Sequence, residues 1–456
     1  MKKKVILVLT IILVLSLSAC GCTSQVDRDA ARRMRPITLN YWRVFDGQDD
    51  FKEIIDAYNA RHPNIKINYR RFRYDEYEMA ILHALAEDRG PDILSIHNTW
   101  VRKYQSKLAE MPERTIMAQL VDVGTLKSEI IPQTITNVSP SIQQIRNAFV
   151  DVVASDVILE NKVYALPLSV DTLAMYYNRD LLNQARITEP QKFWNRTFQE
   201  NVRDLTRQDI NLDITQSGIA LGGHDNIERA TDILSILMMQ NGATMMSGGS
   251  VTFQRIPTHL AESGYNPGLN ALRFYIDFAS PNKEVYAWND TLPNSIEMFS
   301  QGNLAIMFGY SYHLPIIKSL APRLNFSIAR LPQIEGASEV NFANYWVEAV
   351  SAKSEYINEA WDFIKFATSE QRVVSYLDKT NKPPALRSLI ESQIEKNEEM
   401  AIFIDQLFTA KSWYKGKNPE AAEAAMLRMI KEALDDEENL MNILNAGASR
   451  VNQTIN

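Results

Sequence analysis

Apolar residues recur along the first part of the chain with two different periods. Every second residue is apolar in Ile37–Trp42, which predicts a strand, and the same alternation returns at Ile65, Ile67 and Tyr69. Between these strands the spacing becomes helical, with apolar positions at Phe51, Ile54, Ile55 and Tyr58. Asp50, followed three residues later by Glu53, is a plausible capping box for this helix.

The alternation of strand and helix continues after the second strand. Helical spacing over Tyr74–Leu85 ends at Gly90-Pro91, and Asp92–Ile96 is predicted as a short third strand. The β-α-β-α-β order implies a parallel sheet with crossover helices. Ligands of such sheets bind in the loops beyond the carboxyl ends of the strands. Those loops are Arg43–Asp49 and His97–Trp100.

The rest of the chain repeats this mixture of elements at long separation. The predicted strands and extended segments are Tyr164–Leu168, Leu173–Asn178, Leu304–Phe308 and Asn325–Leu331. The predicted helices are Ile227–Gln240, Gly268–Phe278, Ile357–Thr368 and Pro419–Leu444. Because strands recur far apart in a long chain, the pattern favours two α/β lobes over one extended sheet.

Composition and charge exclude several classes of protein. The 456 residues are 45% hydrophobic and 23% charged, as in a globular protein, and the net charge of −7 argues against a nucleic-acid partner. The chain contains neither G-x-x-x-x-G-K-[ST] nor H-E-x-x-H, and its six histidines are scattered. The sequence therefore gives no reason to expect a cofactor or a metal, and it contains no nucleotide-hydrolysing P-loop.

The N-terminus has the pattern of an export signal. Lys2–Lys4 form a cationic start, and Val5–Leu17 is an apolar run too short to span a bilayer comfortably. It ends Leu17-Ser18-Ala19-Cys20, which resembles the lipobox of bacterial lipoproteins and implies that Cys20 is acylated. We therefore expect residues 1–19 to be a lipoprotein signal peptide and residues 20–35 to be a lipidated tether, with the folded region beginning near Pro36.

Several segments, in the same order, resemble the family 1 extracellular solute-binding proteins, the group that includes maltose-binding protein. They are Tyr41-Trp42, Phe51–Tyr58, Gly90–Ile93, Asn98–Trp100, Tyr164–Pro167, Tyr176–Leu182, Phe299 with Gly302 and Ala305–Met307, and Ala360-Trp361 with Phe363-Ile364. The resemblance covers about Pro36 to the C-terminus. It implies an α/β, two-lobe fold of the periplasmic-binding-protein type II, with hinge crossings and a ligand cleft between the lobes.

The same resemblance suggests where the chain crosses between the lobes. We place the crossings near Thr172–Ala174, Ser327–Arg330 and Thr368–Arg372. Lobe one would then hold residues 36–171 and 328–370, and lobe two would hold residues 173–327 and 371–456. The implied function is capture of a sugar or oligosaccharide by lobe closure and delivery to an ABC importer, whose permease subunits are encoded separately.

Candidate ligand residues follow from the positions that face the ligand in this family. A sugar needs flat aromatic surfaces for its C–H faces and short polar groups for its hydroxyls. The candidates are Trp42, Asp46, Asn98, Thr99, Trp100, Asp171, Trp288, Tyr310, Tyr312, Tyr345, Trp346 and Trp413. Asn98 and Thr99 stand where maltose-binding protein has an acid and an arginine, which leaves the identity of the ligand open.

Other interpretations of these residues stay open. Trp42 could equally belong to the core, Asp46 could cap a turn, and Asp171 could be a buried structural acid. Tyr176 and Tyr177 resemble the paired tyrosines of ferric-ion-binding relatives, but neighbouring residues of a strand point to opposite faces.

Three further functions are alternatives to sugar capture. They are a binding protein for a polyamine or a glycerol phosphate, a sensor subunit, and a lipoprotein glycoside hydrolase. The aromatic candidates favour a carbohydrate, and the acids count against an anion. We expect an extracytoplasmic monomer that is anchored to the bacterial cell membrane and is not an enzyme.

Overall fold

The computed structural model describes residues 28–122 and 130–456. The predicted signal peptide and the predicted acylation site, Cys20, lie outside the described residues. In the described part of the chain, no helix has both the length and the apolar character that a membrane crossing needs.

The strands and helices of the described residues are numbered in chain order. The strands are β1 (Ile37–Val44), β2 (Ile65–Phe72), β3 (Ile93–His97), β4 (Leu108–Ala109), β5 (Arg114–Asp122), β6 (Ile130–Val138), β7 (Ile158–Leu159), β8 (Lys162–Val163), β9 (Ala165–Leu166), β10 (Asp171–Thr172), β11 (Ala174–Asn178), β12 (Arg207–Gln208), β13 (Ile214–Gln216), β14 (Met246–Ser247), β15 (Ser250–Val251), β16 (Ile306–Gly309), β17 (Phe326–Ala329), β18 (Asn341–Asn344), β19 (Trp346–Ser351) and β20 (Ala410–Lys411). The helices are α1 (Arg28–Arg33), α2 (Gln48–Arg61), α3 (Tyr74–Ala86), α4 (Trp100–Tyr104), α5 (Ile142–Ala148), α6 (Asp151–Val157), α7 (Arg179–Gln184), α8 (Arg196–Leu205), α9 (Ala230–Gln240), α10 (Pro267–Asp277), α11 (Ser295–Ser300), α12 (His313–Leu320), α13 (Ile357–Ala367), α14 (Glu370–Thr380), α15 (Ile390–Lys396), α16 (Glu398–Asp405), α17 (Pro419–Asp435) and α18 (Leu440–Asn452).

The first lobe is built on a sheet of strand order β2-β1-β3-β19-β4, with β9 also paired to β19. The predicted parallel pairing is confirmed, because β1 runs parallel to both β2 and β3. The later strand β19 joins this sheet antiparallel to β3, with Trp346 opposite His97. The apolar faces of the whole sheet pack on α2, α3 and α13, so the carboxyl ends of β1 and β3 are held at one edge.

The second lobe has a smaller sheet of order β16-β11-β17, in which both neighbours run antiparallel to β11. The helices α9, α10, α17 and α18 pack together in this lobe. The segment predicted as a single helix from Pro419 to Leu444 is two helices, separated by a one-turn 3-10 helix at Glu437–Asn439.

A third sheet of three short strands, β10-β18-β20, lies where the chain passes between the lobes. Its strands place crossings at 171–172, 341–344 and 410–411. The predicted crossing near Ser327–Arg330 stays a prediction, and Ser327 and Ile328 lie in β17, which pairs with β11 in the second lobe. The predicted crossing near Thr368–Arg372 differs from the packing of α14, which lies on α2 of the first lobe through Tyr376 and Phe51.

The folded part of the chain begins earlier than the sequence predicted. Residues 28–33 form α1, which packs on β5 and β6 with Ala30 fully buried. The side-chain amide of Asn64 donates to the carbonyl oxygens of Arg33 and Arg35 at 3.1 and 3.2 Å. Folded structure therefore begins no later than Arg28, whereas the sequence predicted a start near Pro36.

The capping pattern of α2 also differs from the prediction. The helix begins at Gln48, and the Asp50 carboxylate accepts a hydrogen bond from the Gly47 N–H at 2.6 Å. Asp50 is thus the third residue of the helix and not its N-cap. A carboxylate in the first turn stabilises the helix in either position, so the local sequence did not distinguish the two.

A candidate ligand cleft between the lobes

A cavity of about 110 Å³ lies where the two lobes and the three-stranded hinge sheet meet. Its first-lobe wall is formed by Tyr74, His97, Asn98, Thr99 and Trp100. Its second-lobe wall is formed by Arg229, Thr231, Asp232, Ser235, Pro419, Glu420, Ala422, Glu423 and Met426, and the hinge side by Phe342, Ala343, Asn344, Ser412, Trp413 and Tyr414. The predicted ligand residues Asn98, Thr99, Trp100 and Trp413 are therefore brought together around one space.

The first-lobe wall is held in place by hydrogen bonds from the end of β3. His97 lies between Thr99, whose Oγ1 is 2.7 Å from its Nδ1, and Asn344, whose Oδ1 is 3.1 Å from its Nε2. Burial lowers the pKa of His97 to about 4, so the ring is neutral near pH 7. The backbone N–H of Asn98 donates to the Tyr345 carbonyl at 2.9 Å, which ties this loop to the start of β19.

An aromatic cluster continues this wall towards solvent. Trp346 is half-buried, and Trp100 and Phe45 both meet it edge-on at 5.7 Å between ring centroids. Phe45 stacks on Tyr74 at 5.9 Å, and these two rings are 58% and 59% exposed. Since large exposed aromatic rings are unusual on a soluble surface, this cluster is suited to cover an apolar face of a ligand.

The second-lobe wall is centred on an ion pair at the start of α9. The Arg229 guanidinium donates to both oxygens of the Asp232 carboxylate, at 2.9 and 3.0 Å. The hydroxyl of Tyr310 donates to the same carboxylate at 2.7 Å. Because Tyr310 is fully buried and bonded to Asp232, it fixes the position of that carboxylate. The ring of Tyr312 stacks on the ring of Tyr310 at 5.6 Å and is 42% exposed.

The helix α17 contributes acids to the same wall. Glu423 lies 3.4 Å from a guanidinium nitrogen of Arg229. Glu420 pairs with Lys103 of the first lobe at 2.7 Å, which makes an ionic contact across the cleft. Trp413 precedes this helix, and its ring N–H donates to Ser235 at 3.0 Å. The wall therefore carries positively and negatively charged side chains that are already paired with one another or with Lys103.

A buried carboxylate connects the first-lobe wall with the hinge. Asp156 of α6 accepts hydrogen bonds at one oxygen from the Asn98 amide and the Tyr345 hydroxyl, both at 2.8 Å. Its other oxygen accepts from Ser412 at 2.5 Å and pairs with Lys415. Because four donors surround it, Asp156 is satisfied without a ligand. Tyr345, predicted as a ligand residue, is buried and uses its hydroxyl here.

Asp171, another predicted ligand residue, lies in the hinge strand β10. One of its oxygens accepts from the Ser311 N–H at 2.9 Å and the Ser311 hydroxyl at 2.6 Å. The other accepts from the Thr172 N–H at 2.8 Å. Burial raises the pKa of Asp171 to about 6 despite these bonds. The residue is half-buried next to the cavity, and it links the hinge to the end of β16.

Eight of the twelve predicted ligand residues are not among those that line the cavity, and Asp46, Trp288 and Trp42 are three of them. Asp46 is buried and is paired with Arg43 at 2.8 Å and Lys382 at 2.5 Å, which explains its role without a ligand. Trp288 is fully buried in the second lobe, with its ring N–H bonded to Asn226 at 2.9 Å. Trp42 is half-buried and packs on Phe72 at 4.6 Å.

Tyr74, Arg229, Glu420 and Glu423 are four of the lining residues that the sequence analysis missed. Tyr74 had been interpreted only as an apolar position of a helix, whereas it is the exposed first residue of α3. Arg229 lies inside the predicted helix Ile227–Gln240, but the helix begins at Ala230. Glu420 and Glu423 looked like the polar face of a surface helix. No local signal marked any of the four, because each reaches the cavity only through tertiary packing.

A second cavity of about 470 Å³ lies within the first lobe, lined by residues of α5, the end of α13 and the segment around Leu386. The ammonium of Lys365 beside it is already bonded to Thr115 at 2.8 Å and Ser139 at 3.2 Å. No residue of the second lobe is among the described residues that line this second cavity. Among residues 28–122 and 130–456, no cluster of three or more His, Cys, Asp or Glu side chains could hold a metal ion. The interlobe cavity is therefore the better candidate, and its chemistry is that of hydrogen bonding and stacking.

Comparison with known proteins agrees with this architecture. The family model of the bacterial extracellular solute-binding proteins matches residues 46–372. The maltodextrin-binding protein of Bacillus subtilis (strain 168) is 26% identical over 58% of this chain and 60% of its own length. The galactooligosaccharide-binding protein of the same organism is 19% identical over 85% of this chain and 81% of its own.

Solved structures share the fold. The cyclic alpha-maltosyl-1,6-maltose binding protein from Arthrobacter globiformis has a TM-score of 0.72 at 18% identity, and covers 92% of this chain and 99% of its own. A solute-binding protein from Thermotoga lettingae, bound with alpha-D-tagatose, has a TM-score of 0.64 at 16% identity and covers 92% and 100%. These proteins are type II periplasmic binding proteins with two lobes, and the matched family is one of binding proteins and not of enzymes. The chain belongs to the bacterial extracellular solute-binding protein family.

Proposed function

We propose that this protein is the extracytoplasmic, lipid-anchored component of an ABC importer and that it captures a sugar or an oligosaccharide by closure of its lobes. The observation that carries the proposal is the interlobe cavity, where the aromatic rings of Tyr74, Trp100 and Trp413 stand among short polar groups. Aromatic faces and paired polar side chains are what a saccharide requires. The names of the Bacillus subtilis relatives, which bind maltodextrin and galactooligosaccharide, support the same class of ligand.

Closure follows from the distribution of the lining residues over both lobes. A ligand that contacts Trp100 on one side and Arg229 on the other binds the closed form better than the open form. It therefore shifts the population towards closure. The three short hinge strands are the segments where a small change of backbone angles could move one lobe against the other.

A thermal-shift screen of the soluble form, from residue 24 onward, tests the ligand class. The panel contains saccharides, amino acids, polyamines and glycerol phosphates. A ligand at 100 times its dissociation constant should add about 2.7 kcal/mol of stability. A shift with a few saccharides supports the proposal, and X-ray scattering should then show a smaller radius of gyration with the ligand. A shift with polyamines or glycerol phosphates alone would overturn the sugar assignment.

The proposed anchor and the importer need separate tests. We propose that Cys20 is acylated after removal of residues 1–19 and that the closed form docks on a permease encoded separately. Cys20→Ser should release the protein from the membrane fraction, and mass spectrometry should lose the lipidated N-terminal peptide. Uptake of the ligand should fail in cells without the protein. Normal uptake without it would favour the sensor role.

A further inference from the structure

Arg229 carries a guanidinium group that lines the cavity from the second lobe. Its φ is 58°, in the left-handed region that residues other than glycine rarely adopt. It immediately precedes α9, and its carbonyl oxygen accepts hydrogen bonds from the N–H groups of Asp232 and Ile233 at 3.0 and 3.1 Å. Backbone of this kind persists only where its surroundings hold it, and such residues cluster at binding sites.

The head of Arg229 is fixed by its neighbours. Two parallel hydrogen bonds join it to Asp232, and this carboxylate is held in turn by the buried hydroxyl of Tyr310. A bidentate pair of this type fixes the plane of the guanidinium group as well as its position. The orientation is therefore set before any ligand arrives.

The guanidinium group still has donors to offer. It carries five N–H groups. Its hydrogen bonds to described residues are the two to Asp232, and a further guanidinium nitrogen lies 3.4 Å from Glu423, which leaves N–H groups for a ligand. The side chain is 24% exposed. On the opposite wall, Asn98 is 5% exposed, and its Oδ1 has no hydrogen-bond partner in the described part of the chain. One wall thus offers spare donors and the other an acceptor.

The charges around the cavity are balanced within the protein. Arg229 faces Asp232 and Glu423, while Lys103 faces Glu78 and Glu420. A carboxylate or phosphate on the ligand would meet more acids than bases, and the Oδ1 of Asn98 could not donate to it. A neutral ligand rich in hydroxyl groups meets no such repulsion.

We propose that Arg229 is the ligand-binding residue of the second lobe, that it donates hydrogen bonds to hydroxyl or ring oxygens of an uncharged saccharide, and that Asp232 and Tyr310 position it. This inference rests on the proposed function. It adds that the ligand is uncharged and that Arg229 binds it. The strained backbone at Arg229 places the side chain across the first turn of α9, where the guanidinium group reaches both Asp232 and the cavity.

The test is Arg229→Gly, because glycine adopts this backbone conformation without strain. Calorimetric binding is measured with maltotriose, β-1,4-galactobiose and α-1,5-arabinobiose as probes. We expect the affinity for the probe that wild type binds to fall by about tenfold or more, as for loss of a charged hydrogen bond. Arg186→Gly is the matched control, since Arg186 is exposed, has a φ of 62° and lies outside the cavity.

A second variant guards against a folding defect in Arg229→Gly, which leaves Asp232 with one partner fewer. Arg229→Lys keeps the positive charge but loses the planar fork, and should also weaken binding, with an unchanged circular dichroism spectrum. If a probe binds wild type and both variants equally, the inference is overturned while the proposed function stands. If no probe binds wild type, both fail. Tighter binding of α-D-glucose 1-phosphate than of the neutral probes would overturn the assignment of an uncharged ligand.

Discussion

The ammonium group of Lys103 lies 2.7 Å from the carboxylate of Glu420, so an ion pair joins α4 of the first lobe to α17 of the second. Lys103 also pairs with Glu78 of its own lobe, and its Nζ lies 5.3 Å from the centre of the Trp100 ring. The contact with Glu420 can form only while the lobes are close together. It therefore favours the closed arrangement from the edge of the cleft.

Removing this contact should open the protein slightly. Glu420→Gln is expected to increase the radius of gyration of the unliganded protein and to weaken ligand binding by at most about fivefold, because a partly exposed pair contributes up to about 1 kcal/mol. X-ray scattering and calorimetry are the measurements. Glu438→Gln changes an exposed acid outside the cavity and is the control. Identical scattering of Glu420→Gln and wild type would show that the pair has no part in closure.

Asp156 should be important for stability because four donors converge on it. In Asp156→Asn the ammonium of Lys415 loses its buried partner, and one of the four hydrogen bonds is replaced by a clash of donors. We expect the free energy of unfolding to fall by about 3 kcal/mol in urea titrations. Asp151→Asn, on the same helix with 78% of its side chain exposed, should change it by less than about 0.5 kcal/mol.

A variant of Asp46 can show whether this residue stabilises the fold or binds the ligand. Its carboxylate is buried between Arg43 and Lys382 and accepts a hydrogen bond from Tyr376 at 3.0 Å. Asp46→Asn should therefore cost about 3 kcal/mol of stability and leave the ligand affinity of the folded protein unchanged within about twofold. Asp49→Asn changes an exposed acid three residues later and is the control. A large loss of affinity without a loss of stability would restore Asp46 to the ligand site.

His97 should make the protein less stable in acid. Its pKa is lowered to about 4 by burial, whereas an unfolded histidine titrates near about 6.5. Below about pH 6.5 His97 is protonated in the unfolded chain but stays neutral in the folded protein. The free energy of unfolding therefore falls as the pH drops from about 6.5 towards 4. His97→Gln should flatten this part of the profile in urea titrations, while His83→Gln, at an exposed position of α3, is the control.

Asp171 should act in the opposite direction over the same range. Its pKa is raised to about 6 by burial, against about 3.9 in an unfolded chain. The folded protein therefore takes up this proton first, and the resulting stability is present at low pH and lost as the pH rises through about 6. In Asp171→Asn the fall in the free energy of unfolding at low pH, which His97 causes, should become steeper. A profile unchanged from wild type would contradict the raised pKa.

The sequence by itself determined the fold class and much of the first lobe. The alternation around Leu39 and Ile67 and the helical spacing around Ile54 correspond to β1, β2 and α2 in the structure. These patterns are local, because the period of apolar residues reports which face of an element is buried. The loop at His97–Trp100 could be placed for the same reason, since carboxyl ends of parallel strands meet at one edge.

Only the tertiary structure decided which side chains face the cavity. Trp100 and Trp413 line the cleft, whereas Trp288, the same residue type, is fully buried in the second lobe. Arg229, just before α9, pairs with Glu423 of α17, almost two hundred residues later in the chain. Such neighbours are set by how the lobes pack, and the spacing of residues along one element carries no information about the element opposite.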